Sequence, residues 1–214
     1  MKIKGLEIER IGHDTFKIKG KNVVVYTDPY LIKKGEPAGL ILISHEHKDH
    51  CDTAAVEALS NEKTDIVASG LAVKLLGKGK ALAPGQHITA KGVEIKGFPA
   101  YNVKRFRSPG VPFHPPESKM LSFVFTVDGI KIYFAGDTDF IPPMNELAKE
   151  KIDIALLPIS DVYVMNEEEA LEAVKAIKPK IVIPMHYGSL PQVKGNPEKF
   201  KQLVGSNAEV VIVD

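Results

Sequence analysis

Apolar and polar residues alternate through residues 7–12 and 15–19, the period-2 pattern of strands that bury one face. A turn signal, Gly20-Lys21-Asn22, separates these from Val23-Val24-Val25-Tyr26, a β-branched run suited to a buried strand that stops at Asp28-Pro29. Residues 40–43, Leu-Ile-Leu-Ile, predict a second buried strand, ending at Ser44-His45. The pattern then turns helical over 54–59, with Asp52 or Thr53 available as N-cap, and over 71–76, closed by Gly77. Residues 121–127 and 130–134 around Asp128-Gly129 predict a hairpin that runs into Gly136-Asp137. Beyond it the chain predicts a helix at 142–149, a strand at 154–157 and an amphipathic helix at 167–177. A strand at 181–183, leading to Met185-His186, a helix at 198–204 and a strand at 209–213 complete the pattern.

One spacing recurs. Gly20 to Asp28 and Gly129 to Asp137 are both steps of 8 residues (28−20 and 137−129), and each holds a turn, an apolar strand and then an aspartate. The echo suggests two related β-rich halves covered by helices and packed sheet on sheet, a four-layer α/β/β/α sandwich in one domain spanning residues 1–214.

Composition narrows the function. The chain has 214 residues, 44% hydrophobic, with a formal net charge of +1, so nothing in its overall charge draws it to nucleic acid or an anionic membrane. No apolar run approaches the roughly 18 residues of a membrane span. The N-terminus lacks the apolar stretch of a secretory signal, and the single cysteine, Cys51, has no internal partner. Both features predict a cytoplasmic protein. Cys51 itself reads as a buried thiol.

The chemistry concentrates in Ser44-His45-Glu46-His47-Lys48-Asp49-His50-Cys51-Asp52. Residues two apart in extended chain point the same way, so His45 and His47 can address one ion. The turn into the helix then swings Asp49 and His50 toward a second point. Three of the chain's 7 histidines fall in the six positions 45–50, and with a carboxylate they make a ligand set suited to zinc or a similar ion. The zincin pattern His-Glu-x-x-His is absent, because Asp49 stands four after His45. Asp137 and His186, each just past an apolar strand, are further candidates where strand ends meet.

His45-x-His47-x-Asp49-His50 resembles the signature of the metallo-β-lactamase superfamily, and Gly136-Asp137-Thr138 and Met185-His186-Tyr187-Gly188 match its downstream motifs in order. The opening Ile11-Gly12-His13-Asp14-Thr15-Phe16 and Tyr26-Thr27-Asp28-Pro29 is similar to the compact branch that holds the ascorbate-lactone hydrolases. The resemblance runs from residue 6 to the end. It implies that His45 and His47 bind a first metal, that Asp49, His50 and His186 bind a second, and that Asp137 bridges them. It also implies two divalent cofactor ions, zinc foremost with manganese or iron as alternatives. The corresponding reaction is hydrolysis of a small ester, lactone or similar bond by a hydroxide held between them, with Asp49 or Asp137 orienting the nucleophile.

The superfamily's further histidine for the first metal usually follows the strand at 93–98. Here that stretch reads Phe98-Pro99-Ala100-Tyr101-Asn102. Either Asn102 stands near a weaker site or His114 reaches in from the proline-rich loop at 109–116, and His114 is favoured because imidazole is the better ligand. His13 reads equally as pocket lining or as a turn residue. Asp28 reads as a carboxylate holding a ligand histidine by its other ring nitrogen. His87, in a turn-like region, reads as a surface residue.

The expected partner is a small-molecule substrate, with neither nucleic acid nor membrane. Phosphodiesterase or nuclease activity is the first alternative, because Lys104-Arg105-Phe106-Arg107 could steer an anion, although the patch also reads as a solvated loop. A two-iron redox enzyme and a non-catalytic metal-binding protein are the others.

Overall fold

The protein is described by a computed structural model covering residues 1–213. The first half builds β1 (Lys2–Ile3), β2 (Leu6–Gly12), β3 (Thr15–Lys19), β4 (Val24–Thr27), β5 (Leu40–Ile43), α1 (Thr53–Leu59), β6 (Asp65–Ser69), α2 (Gly70–Leu76) and β7 (Lys80–Leu82). The second builds β8 (His87–Ala90), β9 (Val93–Pro99), the short β10 (Phe106–Ser108) and β11 (Val111–Pro112), β12 (Leu121–Val127), β13 (Ile130–Phe134), β14 (Ile154–Pro158), α3 (Glu167–Ile177), β15 (Ile181–Met185), α4 (Pro197–Val204) and β16 (Glu209–Val210).

Two seven-stranded sheets result, ordered β1 through β7 and β16-β15-β14-β13-β12-β9-β8. Their pairing schemes match. In the first, β1 to β4 pair antiparallel and β4 to β7 parallel. In the second, β8-β9-β12-β13 pair antiparallel and β13-β14-β15-β16 parallel. The spacing echo falls on equivalent strands: β4 and β13 are each the strand where pairing changes sense, and they lead into Asp28 and Asp137.

Strand alternation sets the layers. On β5, Leu40 and Leu42 join a core shared with Phe123, Phe125 and Ile132 of the second sheet. Ile41 and Ile43 point the other way, into a smaller core with Ala55, Val56 and Leu59 of α1. Parallel pairing needs crossovers, and these carry α1 and α2 on one side and α3 and α4 on the other, giving the α/β/β/α arrangement. The helices start as the sequence directs. Asp52 caps α1, and Asn166 with Glu169 forms a capping box on α3. Cys51 is a buried free thiol in the α1 core, its pKa pushed up to about 12 mainly by burial. His87 is exposed on β8.

Some expectations need correction. Pro142–Glu150 is a 3-10 rather than an α-helix; it opens on two prolines without N–H donors and ends at Lys151 in the left-handed region. The last strand stops at Val210, and only Glu209 and Val210 pair with β15. The strands β6, β7 and β8 were not evident from patterning. β6 passes directly into α2, while β7 and β8 are short and partly exposed. Among the described residues no helix is long and apolar enough to cross a membrane.

Candidate metal centre

The site forms where the strand ends of both sheets meet. Asp28 follows β4, the His45–His50 turn follows β5, Asp137 follows β13 and His186 follows β15. Ligand groups gather outside the carboxyl ends of parallel strands because the backbone there is leaving the sheet and can aim side chains into the crevice. Cross-sheet bonds lock the rim: Leu121 N–H donates to the Ser44 carbonyl at 3.1 Å and His186 N–H to the His13 carbonyl at 3.3 Å. Gly136, at φ 59°, is required at this crossing, because a Cβ there would lie 3.0 Å from Ser44 Cβ and 3.2 Å from the Leu121 carbonyl. His13, Asp28 and His186 are also left-handed, a backbone state that costs a non-glycine residue about 1 kcal/mol or more and concentrates at functional sites.

Two histidine clusters lie side by side. Candidate ligand atoms of His45, His47 and His114 lie within 4.8 Å of one another, and so do those of His13, His50 and His186. The turn positions its own members: His50 N–H and Cys51 N–H both donate to the His47 carbonyl, at 3.0 and 2.8 Å. His45 and His50 ring centroids are only 4.2 Å apart, so the clusters adjoin. Asp137 stands between them, with Oδ2 3.4 Å from His114 Nε2 and Oδ1 3.4 Å from His50 Nε2 and 3.2 Å from His186 Nε2. Asp49 Oδ2 lies 3.4 Å from His13 Nε2 and 3.9 Å from His50 Nε2, and its side chain keeps 30% exposure.

Asn102 and His114 are placed differently in the structure. Asn102 is turned away from the imidazoles. Its Oδ1 accepts from His114 N–H at 2.9 Å, its Nδ2 donates to the Tyr163 carbonyl at 2.9 Å, and its own N–H donates to the His114 carbonyl at 2.8 Å. The residue that replaces the expected histidine therefore braces the loop that delivers His114.

Electrostatics separate the clusters. Burial drives His45 well below the usual imidazole range, reinforced by His50, and drives His114 down to about 4. Burial works against charge on His50 and His186 too, but Asp137 outweighs it and both are raised, His50 well above the usual range with help from Asp28. Burial alone would raise Asp137; the adjacent His186 and His50 hold it well below the usual carboxylate range. Burial likewise opposes ionisation of Asp49, but contact with His13 and the charge of His50 bring it down to about 2.

Residues that the sequence did not single out complete the site. Ser44 donates to Asp28 and touches His45 Nδ1 at 2.8 Å, Ser160 meets His186 Nδ1 at 2.7 Å, and Ser189 meets His13 Nδ1 at 2.6 Å. Asp28 itself meets His50 Nδ1 at 2.8 Å. Asp14, fully buried, lies 3.9 Å from His50 Nδ1. Serine carries no spacing signal, and only the fold shows where its hydroxyl points. A cleft of about 310 Å³ opens over His47, Asp49, His114 and Asp137, walled by Arg107, Phe113, Tyr163, Leu190 and Gln192. The basic patch divides here. Arg105 is paired with Asp139, Asp161 and Glu169, and Lys104 with Glu169, so both serve the loop's structure; Arg107 alone of the three cations lines the cleft.

The chain is similar over nearly its whole length to known proteins. Residues 7–186 match the family described as the beta-lactamase superfamily domain. A metal-dependent hydrolase from Thermoplasma acidophilum is 35% identical over 225 aligned residues, covering 99% of this chain and 96% of its own. A crystal structure from Parabacteroides distasonis, also described as a metal-dependent hydrolase, superposes with a TM-score of 0.85 at 34% identity, over 97% of this chain and 92% of that one. A metallo hydrolase from the archaeon Ignicoccus hospitalis superposes with a TM-score of 0.79 at 26% identity, over 98% and 95%. The chain belongs to the metallo-β-lactamase superfamily, within its family of metal-dependent hydrolases.

Proposed function

We propose that the chain hydrolyses a small ester, lactone or similar bond at a centre of two divalent ions, zinc foremost. The observation that carries this reading is the placement of Asp137: one carboxylate presents one oxygen to His114 and the other to His50 and His186.

The residues present fit such ions. His50 Nε2, His186 Nε2 and Asp137 Oδ1 are buried without a hydrogen-bond partner, while His50 and His186 have their Nδ1 atoms occupied. Buried polar atoms are rarely left unsatisfied, and an imidazole fixed at one nitrogen and bare at the other is the usual state of a metal ligand. His45, His47 and His114 would hold the first ion, Asp49, His50 and His186 the second, with Asp137 shared. When bound, the ions supply Lewis acidity toward a substrate oxygen and bring the pKa of water toward neutrality.

The chain's own groups supply orientation. Asp49 is ionised at neutral pH, and of the two aspartates that line the cleft it is the more exposed, at 30% against 4% for Asp137. It therefore accepts a hydrogen bond from the attacking water and aims it. Phe113 and Tyr163, edge to face at 4.9 Å, form an apolar wall for the non-reacting part of the substrate. Arg107, near the Phe113 ring, has no carboxylate partner among the described residues and favours a substrate bearing negative charge. A cleft of about 310 Å³ suits a small molecule rather than a polymer.

The test is a hydrolysis screen across lactones, esters, thioesters and phosphodiesters with added Zn²⁺ or Mn²⁺. Turnover of an ester or lactone that disappears on chelation is expected. Cleavage of phosphodiesters alone would overturn the choice of substrate class.

A further inference from the structure

His13 has no place in the ligand sets above, yet it shares with His50 and His186 a fully buried ring and an unpaired Nε2. We infer that His13 is a ligand of the second ion, completing a three-imidazole face with His50 and His186; this rests on the two-ion reading.

The first support is position. Its ring centroid lies 4.1 Å from that of His186 and 5.1 Å from that of His50, and the three candidate ligand atoms cluster within 4.8 Å. The second is hydrogen bonding. Each of the three rings has Nδ1 occupied, by Ser189, Asp28 and Ser160 respectively, and each Nε2 is buried with no hydrogen-bond partner. One unpaired buried nitrogen is an exception to be explained; three together share an explanation in a common electrophile. The third is the backbone. His13 adopts φ 50° on the β2–β3 turn, where an exposed polar side chain would meet no constraint, and its ring is nonetheless fully buried. The surrounding chain holds it there: Arg10 Nε donates to the His13 carbonyl at 3.4 Å, and Arg10 Nη2 to the Tyr187 carbonyl at 2.5 Å.

The competing role is to orient Asp49, whose Oδ2 lies 3.4 Å from His13 Nε2 but without hydrogen-bond geometry. Because Asp49 is assigned to the same ion, the size of the loss in metal affinity separates the two: a supporting role costs about tenfold, a ligand more. Protein stripped with a chelator is titrated with Zn²⁺ alone against a chromophoric competitor, for wild type, His13→Ala, His13→Gln and Ser189→Ala, with folding followed by circular dichroism. Wild type is expected to bind two ions. His13→Ala should lose about a hundredfold or more in affinity for one of them and keep the other. Ser189 is exposed, so Ser189→Ala does not threaten the fold; it should weaken that same ion about tenfold, the scale seen when a supporting group of a ligand is removed. If wild type binds two ions while the His13 variants lose no more than about tenfold in affinity for either, the scale of a supporting group, His13 is not a ligand and the two-ion reading stands. If wild type binds fewer than two, the two-ion reading falls and takes this inference with it.

Discussion

The two histidine clusters are neighbours built on different electrostatic principles. Around His45, His47 and His114 there is little negative charge: His45 and His114 are buried and kept neutral, and Asp137 is the carboxylate close to His114. Around His50 and His186 the carboxylates of Asp14, Asp28, Asp49 and Asp137 crowd in, and both rings are raised. Negative charge stored in a low-dielectric interior draws in a cation, whether proton or metal. The second cluster is therefore expected to bind its ion more tightly, and the first to depend on neutral lone pairs and on the loop that delivers His114.

The largest effect should come from Asp49→Ala. Removing the more exposed of the two carboxylates that touch the second cluster and line the cleft should lower turnover by about 10³-fold, within the range for a positioned acid–base group, with the circular dichroism spectrum unchanged. Turnover near normal would remove Asp49 from the mechanism.

His114→Ala sharpens the comparison from the other side. It should weaken the first ion by tenfold or more and leave the second in place. Asn102→Ala should act only through the loop. By leaving His114 N–H and the Tyr163 carbonyl unpaired it should cost about 1–3 kcal/mol of stability, read by denaturant melts. Loss of metal in Asn102→Ala but not in His114→Ala would reverse these assignments.

Arg107→Ala should raise KM about tenfold for an anionic substrate and leave a neutral analogue unaffected, since only one charge-assisted contact is removed. Equal losses for both substrates would deny Arg107 a part in selectivity.

The smallest signal is protonic. His50 and His186 are raised, so near neutral pH the ion-free second cluster holds protons that an incoming cation must displace, and its affinity should rise with pH. His45 and His114 are lowered, His114 to about 4, so near neutral pH these two hold no protons to release and first-ion affinity should vary less with pH than second-ion affinity. Calorimetry in two buffers of different ionisation enthalpy counts the protons; equal release from both clusters would erase the distinction.

Much of this was legible in the sequence because it was local. The His45–His50 run, the Asp128-Gly129 hairpin and each 8-residue step of the echo are short stretches of chain, and the structure turns the echo into two matching sheets. What was not legible depends on contacts between distant segments. Ser160 and Ser189 gain their roles only when the loops after β14 and β15 fold onto His186 and His13, a pairing that spans 176 residues in the case of His13 and Ser189. Asn102 shows the same limit: its place after β9 could be read, but its turn toward the His114 backbone could not.

Anomalous diffraction at the zinc edge, on crystals grown with Zn²⁺, tests the central claim most directly. Two peaks per chain are expected, one on either side of Asp137. One should lie about 2.0–2.3 Å from ligand atoms of His45, His47 and His114, and the other at that distance from His50 and His186. A single peak, or a second peak away from Asp137, would contradict it.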